Sequence, residues 1–129
     1  MLYCCNAVSF MNNQNDLFGF EISPEAAQKI QKLLAKAADL TDKTPLAMEI
    51  YAIVEELSTV GLSYFFIQPL KLAGIGGLKI KTVEIAMNLG KNAVLSIGKG
   101  ILKAMSSAQI EVVLNMLKNS YINRSLSAE

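Results

Sequence analysis

Apolar positions between residues 23 and 122 recur with the 3.6-residue period of a helix, and no stretch shows the alternation expected of a strand. Ser23-Pro24-Glu25 is a helix start: serine caps, proline suits the first turn, and glutamate complements the N-terminal dipole. Ala26, Ile30, Leu33, Leu34, Ala37 and Leu40 then form one apolar stripe, with Lys29, Lys32 and Lys36 opposite. Thr41-Asp42-Lys43 reads as a turn, and Thr44-Pro45 repeats the start signal.

The second helix is expected from Pro45 to Ile67. Its polar stripe is narrow, Glu49, Glu56 and Ser63 with Glu55 beside it, so the helix should sit centrally. Ile50, Val54, Leu57 and Phe65 are its expected core residues, and Gln68-Pro69 should end or kink it. Leu70 to Gly77 reads as a connector in which Gly74, Gly76 and Gly77 supply positive φ.

A third helix is expected from Leu78 to Met105, with a break near Gly90. Lys81, Glu84, Asn88, Lys91, Asn92, Lys99 and Lys103 mark its polar stripe. Ile80, Val83, Met87, Val94, Ile97, Ile101 and Leu102 occupy the remaining faces. Ser106 and Ser107 with Gln109 cap a fourth helix whose Ile110, Val113, Leu114 and Leu117 face inward. The expected fold is all-α, four-helix and bundle-like, mainly antiparallel because its connections are short, with a glycine-rich connector between helices two and three. Residues 1–22 and 123–129 are expected to be loose tails around a single helical domain, 23–122.

Composition changes this picture in two ways. At 52% hydrophobic residues, the chain exceeds the ~45–50% usual for soluble domains even before glycine is counted. A chain of 129 residues has more apolar surface than a small monomer conveniently hides, so a second copy, a ligand, a partner or a membrane is expected to take the surplus. The net charge of +1 conceals an asymmetry. Residues 1–67 hold four lysines against eight acids, a net of 4 − 8 = −4; residues 68–129 hold seven lysines and Arg124 against three acids, a net of 8 − 3 = +5. Solvated helix faces of opposite sign are the expectation, and the small total argues against nucleic-acid binding.

The chemistry of enzymes is thinly represented. Histidine is absent, which removes Ser–His and Cys–His catalysis, the usual zinc sites and histidine-ligated haem. Cys4 and Cys5 are adjacent and cannot readily bridge, which suits a reducing compartment and a cytoplasmic location. The first ten residues lack a basic secretory n-region, and Met11 opens a stretch that reads as a soluble N-terminus. Residues 1–10 are therefore expected to be an upstream-start artefact or a disordered tail. Glu49, Glu55 and Glu56 are expected to keep a greasy helix wet, not to bind metal. The Gly74–Gly77 glycines lack the preceding strand and following Gly-Lys-Ser/Thr of a phosphate loop. No catalytic, metal or cofactor-binding residue is assigned, and no enzymatic activity is expected.

What remains is surface. Tyr51, Tyr64, Phe65, Phe66 and Met87 are candidate contacts for an apolar ligand or partner helix, with core packing the competing use. Ala86 and Gly90, then Ser96, Gly100 and Ala104, are spaced four apart and suit close helix packing, first within the chain and second across a homodimer. Lys81, Lys91, Lys99 and Lys103 are candidate contacts for an anionic surface. GIGGLKIK and GKGILKAM have the composition of cationic membrane-active helices, although a folded bundle should already use their apolar face. No window reaches ~18 consecutive apolar residues, so integration into a bilayer is not expected. The expected function is non-enzymatic binding to a second copy, a partner helix or a small apolar molecule; the rival is a peripheral lipid-surface role for the third helix.

Overall fold

The computed structural model describes residues 19–122, which contain helices and no strand. Helix α1 spans Pro24–Asp39. Helix α2 is one helical run, Thr44–Leu72, with a 3-10 first turn at Thr44–Leu46, a π-helical turn at Ser63–Ile67 and a last α-helical turn at Gln68–Leu72. Helix α3 is Gly77–Ala104 and α4 is Ser107–Ser120. Residues 1–18, which include Cys4 and Cys5, and residues 123–129 lie outside the described residues. Of the expected N-terminal tail, residues 19–22 are described: Ile22 packs on the core, and Phe20 lies beside Gly61.

The caps follow the sequence. The Ser23 hydroxyl accepts from the Ala26 N–H at 3.0 Å, and Ser106 and Gln109 form a reciprocal capping box at α4. Lys43 Nζ donates to the Ala37 and Leu40 carbonyls, which closes the end of α1. The Lys43 N–H donates to Ser107 Oγ at 2.9 Å, tying the α1–α2 turn to the start of α4.

The core gathers where α1, the first half of α2 and α4 meet. Leu33, Leu46, Ile50 and Ile110 are its most enclosed large side chains, joined by Ile30, Ile53, Leu114 and Leu117. Helix α3 enters it only through Leu102. Between Ser58 and Ile101 no residue belongs to this cluster. Lys29 pairs with Glu56 at 3.0 Å and Lys36 pairs with Glu49. The acids of α2 thus bridge to α1, in exposed pairs worth roughly 0–1 kcal/mol each.

Three expectations about α2 change. The helix passes through Gln68-Pro69 instead of ending there. In the π-turn the Gln68 N–H reaches back five residues to the Ser63 carbonyl. The wider turn places Pro69, which has no N–H, at the start of the next α-helical turn, where it needs no donor. The connector shrinks to the four residues 73–76. Finally, although α2 supplies more buried residues than any other helix, only 22% of its most apolar window is buried. Ile50 is fully enclosed, Val54 and Leu57 are half-buried against the core, and Phe65 is exposed.

Helix α3 is unbroken at Gly90. Its 28 residues span about 42 Å at 1.5 Å per residue. The α2–α3 link ends α2 with paired backbone bonds, Ile75 N–H to the Leu70 carbonyl at 3.0 Å and Gly74 N–H to the Lys71 carbonyl at 3.1 Å. This Schellman arrangement requires a left-handed residue, and Gly74 supplies it at φ 75°. Gly76 has an ordinary φ of −63° and open space around it, so the need for glycine falls on Gly74.

Two stability predictions follow from these placements. Ile50→Ala is expected to cost about 2–5 kcal/mol in chemical denaturation, whereas Phe66→Ala, 55% exposed, should change stability by about 0.5 kcal/mol or less. Gly74→Ala is expected to destabilise by about 1 kcal/mol, while Gly90→Ala, where a Cβ meets nothing within 4 Å, should stabilise by about 0.5–1 kcal/mol. A neutral Gly74→Ala would remove the Schellman assignment.

Candidate functional site: the outer face of α3 and the cleft beside it

Helix α3 is apolar on two sides. Toward α2 it presents Ile80, Glu84, Met87, Lys91, Leu95, Gly98 and Leu102, a continuous three-and-four-residue stripe of buried and half-buried positions. Glu84 and Lys91, expected on the solvent side, therefore lie in the interface. Val94, Ile97 and Ile101, expected on the faces outside the polar stripe, are exposed, Ile97 at 68%. Periodicity could not choose between two apolar stripes on one helix. The choice fell to packing, which uses Leu95 and Leu102.

Outside the interface, α3 shows Leu78, Ile85, Leu89, Val94, Ile97 and Ile101 to solvent. Ala86, Gly90, Ser96, Gly100 and Ala104 are exposed on this helix too, and an added Cβ at Gly90 or Gly100 meets nothing within 4 Å. Among the described residues, no packing uses that small-residue spacing at Gly90 or Gly100. Lys81, Lys99 and Lys103 are exposed, with Lys99 Nζ 5.3 Å from the centre of the Tyr51 ring. Lys91 is half-buried and donates to Thr59 Oγ1 at 2.9 Å.

The turn end of the α2–α3 hairpin extends the apolar surface. Leu72 and Leu78 flank the connector at 87% and 84% exposure. Tyr64 and Phe65 meet edge to face with centroids 5.0 Å apart, and Phe20 stands against both, 6.0 and 6.2 Å away. Gly61 allows this approach, since a Cβ there would sit 3.0 Å from the Phe20 ring. The candidate aromatic contacts are not gathered at one point: Tyr51 lies under Lys99, Tyr64 and Phe65 join Phe20, and Met87 faces a cleft on the other side of α2.

That cleft lies between α2 and α3 and has a volume of about 250 Å³. Thr59, Ser63, Lys71, Glu84, Asn88 and Lys91 supply its polar wall, and Leu62, Ile67 and Met87 its apolar one. Sequence reasoning missed it, because Thr59 carries no pattern, and Ser63 and Glu84 read as members of solvated polar stripes. Their only shared signal is that Glu84 is the sole acid between Leu57 and Ile110.

Among the described residues no three acidic, cysteine or histidine side chains gather as metal ligands. By length and composition α2 is long and apolar enough to cross a membrane, although its first half is engaged with α1 and α4. Comparison with protein-family models, curated proteins and solved structures finds no match to this chain.

A charge reversal on the outer rim should leave the fold intact. Lys103→Glu, at an exposed position without a partner among the described residues, is expected to shift the thermal midpoint by less than about 2 °C. A collapse of helical circular dichroism in this variant would place Lys103 inside the packed structure.

Proposed function

We propose that this chain is a non-enzymatic binding protein, built as a mainly antiparallel four-helix bundle, that docks on an anionic lipid surface through α3 and the tip of the α2–α3 hairpin. The glycine-rich connector forms that tip. The observation that carries this reading is a coincidence of charge and exposure. From Leu57 to Ile110 the chain has six lysines and one acid, and that acid, Glu84, is turned into the cleft. The same segment bears the exposed Leu72, Leu78, Ile85, Leu89, Ile97 and Ile101.

Physical chemistry supports a surface-lying mode over an internal one. An apolar face edged by lysines can bury its alkyl groups at the acyl boundary while the ammonium groups stay with phosphates. Helix α3 also begins without a side-chain cap, and Lys79 and Lys81 stand in its first turns. Cations at the positive end of a helix dipole are unfavourable in isolation and become favourable beside an anionic layer.

A homodimer is the second reading, favoured by the exposed small-residue spacing on the same helix. Like charges on the two α3 rims would then face each other without acids to pair them, which is why lipid comes first.

Flotation with vesicles of neutral phosphatidylcholine, with and without phosphatidylglycerol, tests the proposal. Binding only to the anionic vesicles, weakened by salt, is the expected result. Ile97→Asp should abolish it, and Lys81→Glu with Lys103→Glu should weaken it by about thirtyfold or more, at roughly 1 kcal/mol per lysine near the surface. Sedimentation equilibrium separates the second reading: a dimer without lipid that survives both lysine reversals and is lost in Ile97→Asp would displace the lipid proposal.

A further inference from the structure

The α2–α3 cleft has a charge pattern that the surface reading does not use. Lys71 and Lys91 line it together with Glu84, yet none of the three forms an ion pair with another. Three formal charges thus share one cleft without closing a pair. Glu84 and Lys91 are both half-buried there, where charges are less screened than on an open surface. Lys91 Nζ spends one of its three donors on Thr59 Oγ1, and Thr59 in turn donates to the Glu55 carbonyl at 3.1 Å. That chain fixes the ammonium and leaves its other donors free.

We infer that the cleft binds a phosphoserine-type group: two anionic centres and one ammonium on a small polar body. The anions complement Lys71 and Lys91, and the ammonium complements Glu84, with Ser63 and Asn88 available as neutral hydrogen-bond partners. A phosphate alone would leave Glu84 facing a like charge. A plain amine would do the same to the two lysines. The volume, about 250 Å³, lies just under the ~300–1,000 Å³ of sites for drug-sized ligands, which suits a headgroup and not a whole lipid. The acyl chains, where present, would run outside the cleft along apolar surface already exposed. Seating the group from a bilayer rests on the surface docking proposed above; seating it from solution does not.

Two measurements with the full chain separate these sources. In the first, glycerophosphoserine is titrated against the protein and amide chemical shifts of Thr59, Asn88 and Lys91 are followed. Saturable shifts are expected, with weaker binding of glycerophosphoethanolamine, which lacks the second anion. In the second, vesicles containing phosphatidylserine are compared with phosphatidylglycerol vesicles of equal charge density. Phosphatidylserine should bind about tenfold more tightly, as two or three charge-assisted hydrogen bonds allow. Glu84→Gln, checked for unchanged helical circular dichroism, should erase both the titration and the preference while leaving phosphatidylglycerol binding intact. Asn88→Ala serves as a second cleft variant with reduced affinity, and Lys79→Glu, which does not line the cleft, should weaken both vesicles alike. Equal binding of the two vesicles with no saturable shifts would overturn the cleft assignment and leave surface docking standing. A preference that persists in Glu84→Gln would also overturn it. Saturable glycerophosphoserine binding without any vesicle binding would uphold the cleft for a soluble ligand and defeat the bilayer docking.

Discussion

Everything in this structure hangs on the packing of Leu46 and Ile50 against Leu33 and Ile110. These side chains have almost no contact with water, and each fully buried aliphatic group contributes about 1.5–3 kcal/mol relative to exposure. They join α1, the first half of α2 and α4 into one core. Lys43, which caps α1 and bonds Ser107, holds the chain ends of those helices at the same place. Because the core is built at one end of α2, the other end of that helix and most of α3 are carried by it without belonging to it.

That division explains where the excess apolar content goes. The residues between Ser58 and Ile101 pack locally, through Ile67, Ile80 and Leu95, but add nothing to the main cluster. Helix α3 leans on α2 through one stripe and leaves a second apolar stripe uncovered. A monomer in water gains nothing from exposing Leu78, Ile97 and Ile101 together. The lysines beside them, with a single acid over 57–110 that is directed into the cleft, give that uncovered surface a sign. Apolar area and positive charge on one face are what the proposed docking on an anionic lipid layer rests on. The cleft differs in character from that surface, since it contains Glu84, the one acid between Leu57 and Ile110.

The backbone devices shape the same hairpin. A π-turn lets α2 run past Pro69, which lengthens the hairpin by one further turn and places Leu72 at its tip. Gly74 then reverses the chain in four residues, so Leu72 and Leu78 flank the connector and both are exposed. Gly61 admits the Phe20 ring, which draws the segment before α1 onto the aromatic cluster of α2.

Local signals were enough to establish much of this from the residues alone. Ser23-Pro24-Glu25 and Ser106 with Gln109 announce helix starts through side-chain chemistry that acts within four residues. The apolar stripe of α1, and the longer of the apolar runs on α4, set the inward faces, so Ile30, Leu33, Ile110 and Leu114 were legible as core. Helix α3 was not legible in this sense. It has two apolar stripes of equal period, and only the position of α2 selects the one containing Leu95 and Leu102. The same selection turned Glu84 and Lys91 from apparent surface residues into cleft residues, exposed Phe65 and Ile97, and brought Thr59 to Lys91 across thirty-two positions of sequence. Periodicity reports what a helix can bury. Which face it does bury is set by neighbours distant in the chain, and that the tertiary structure alone decided.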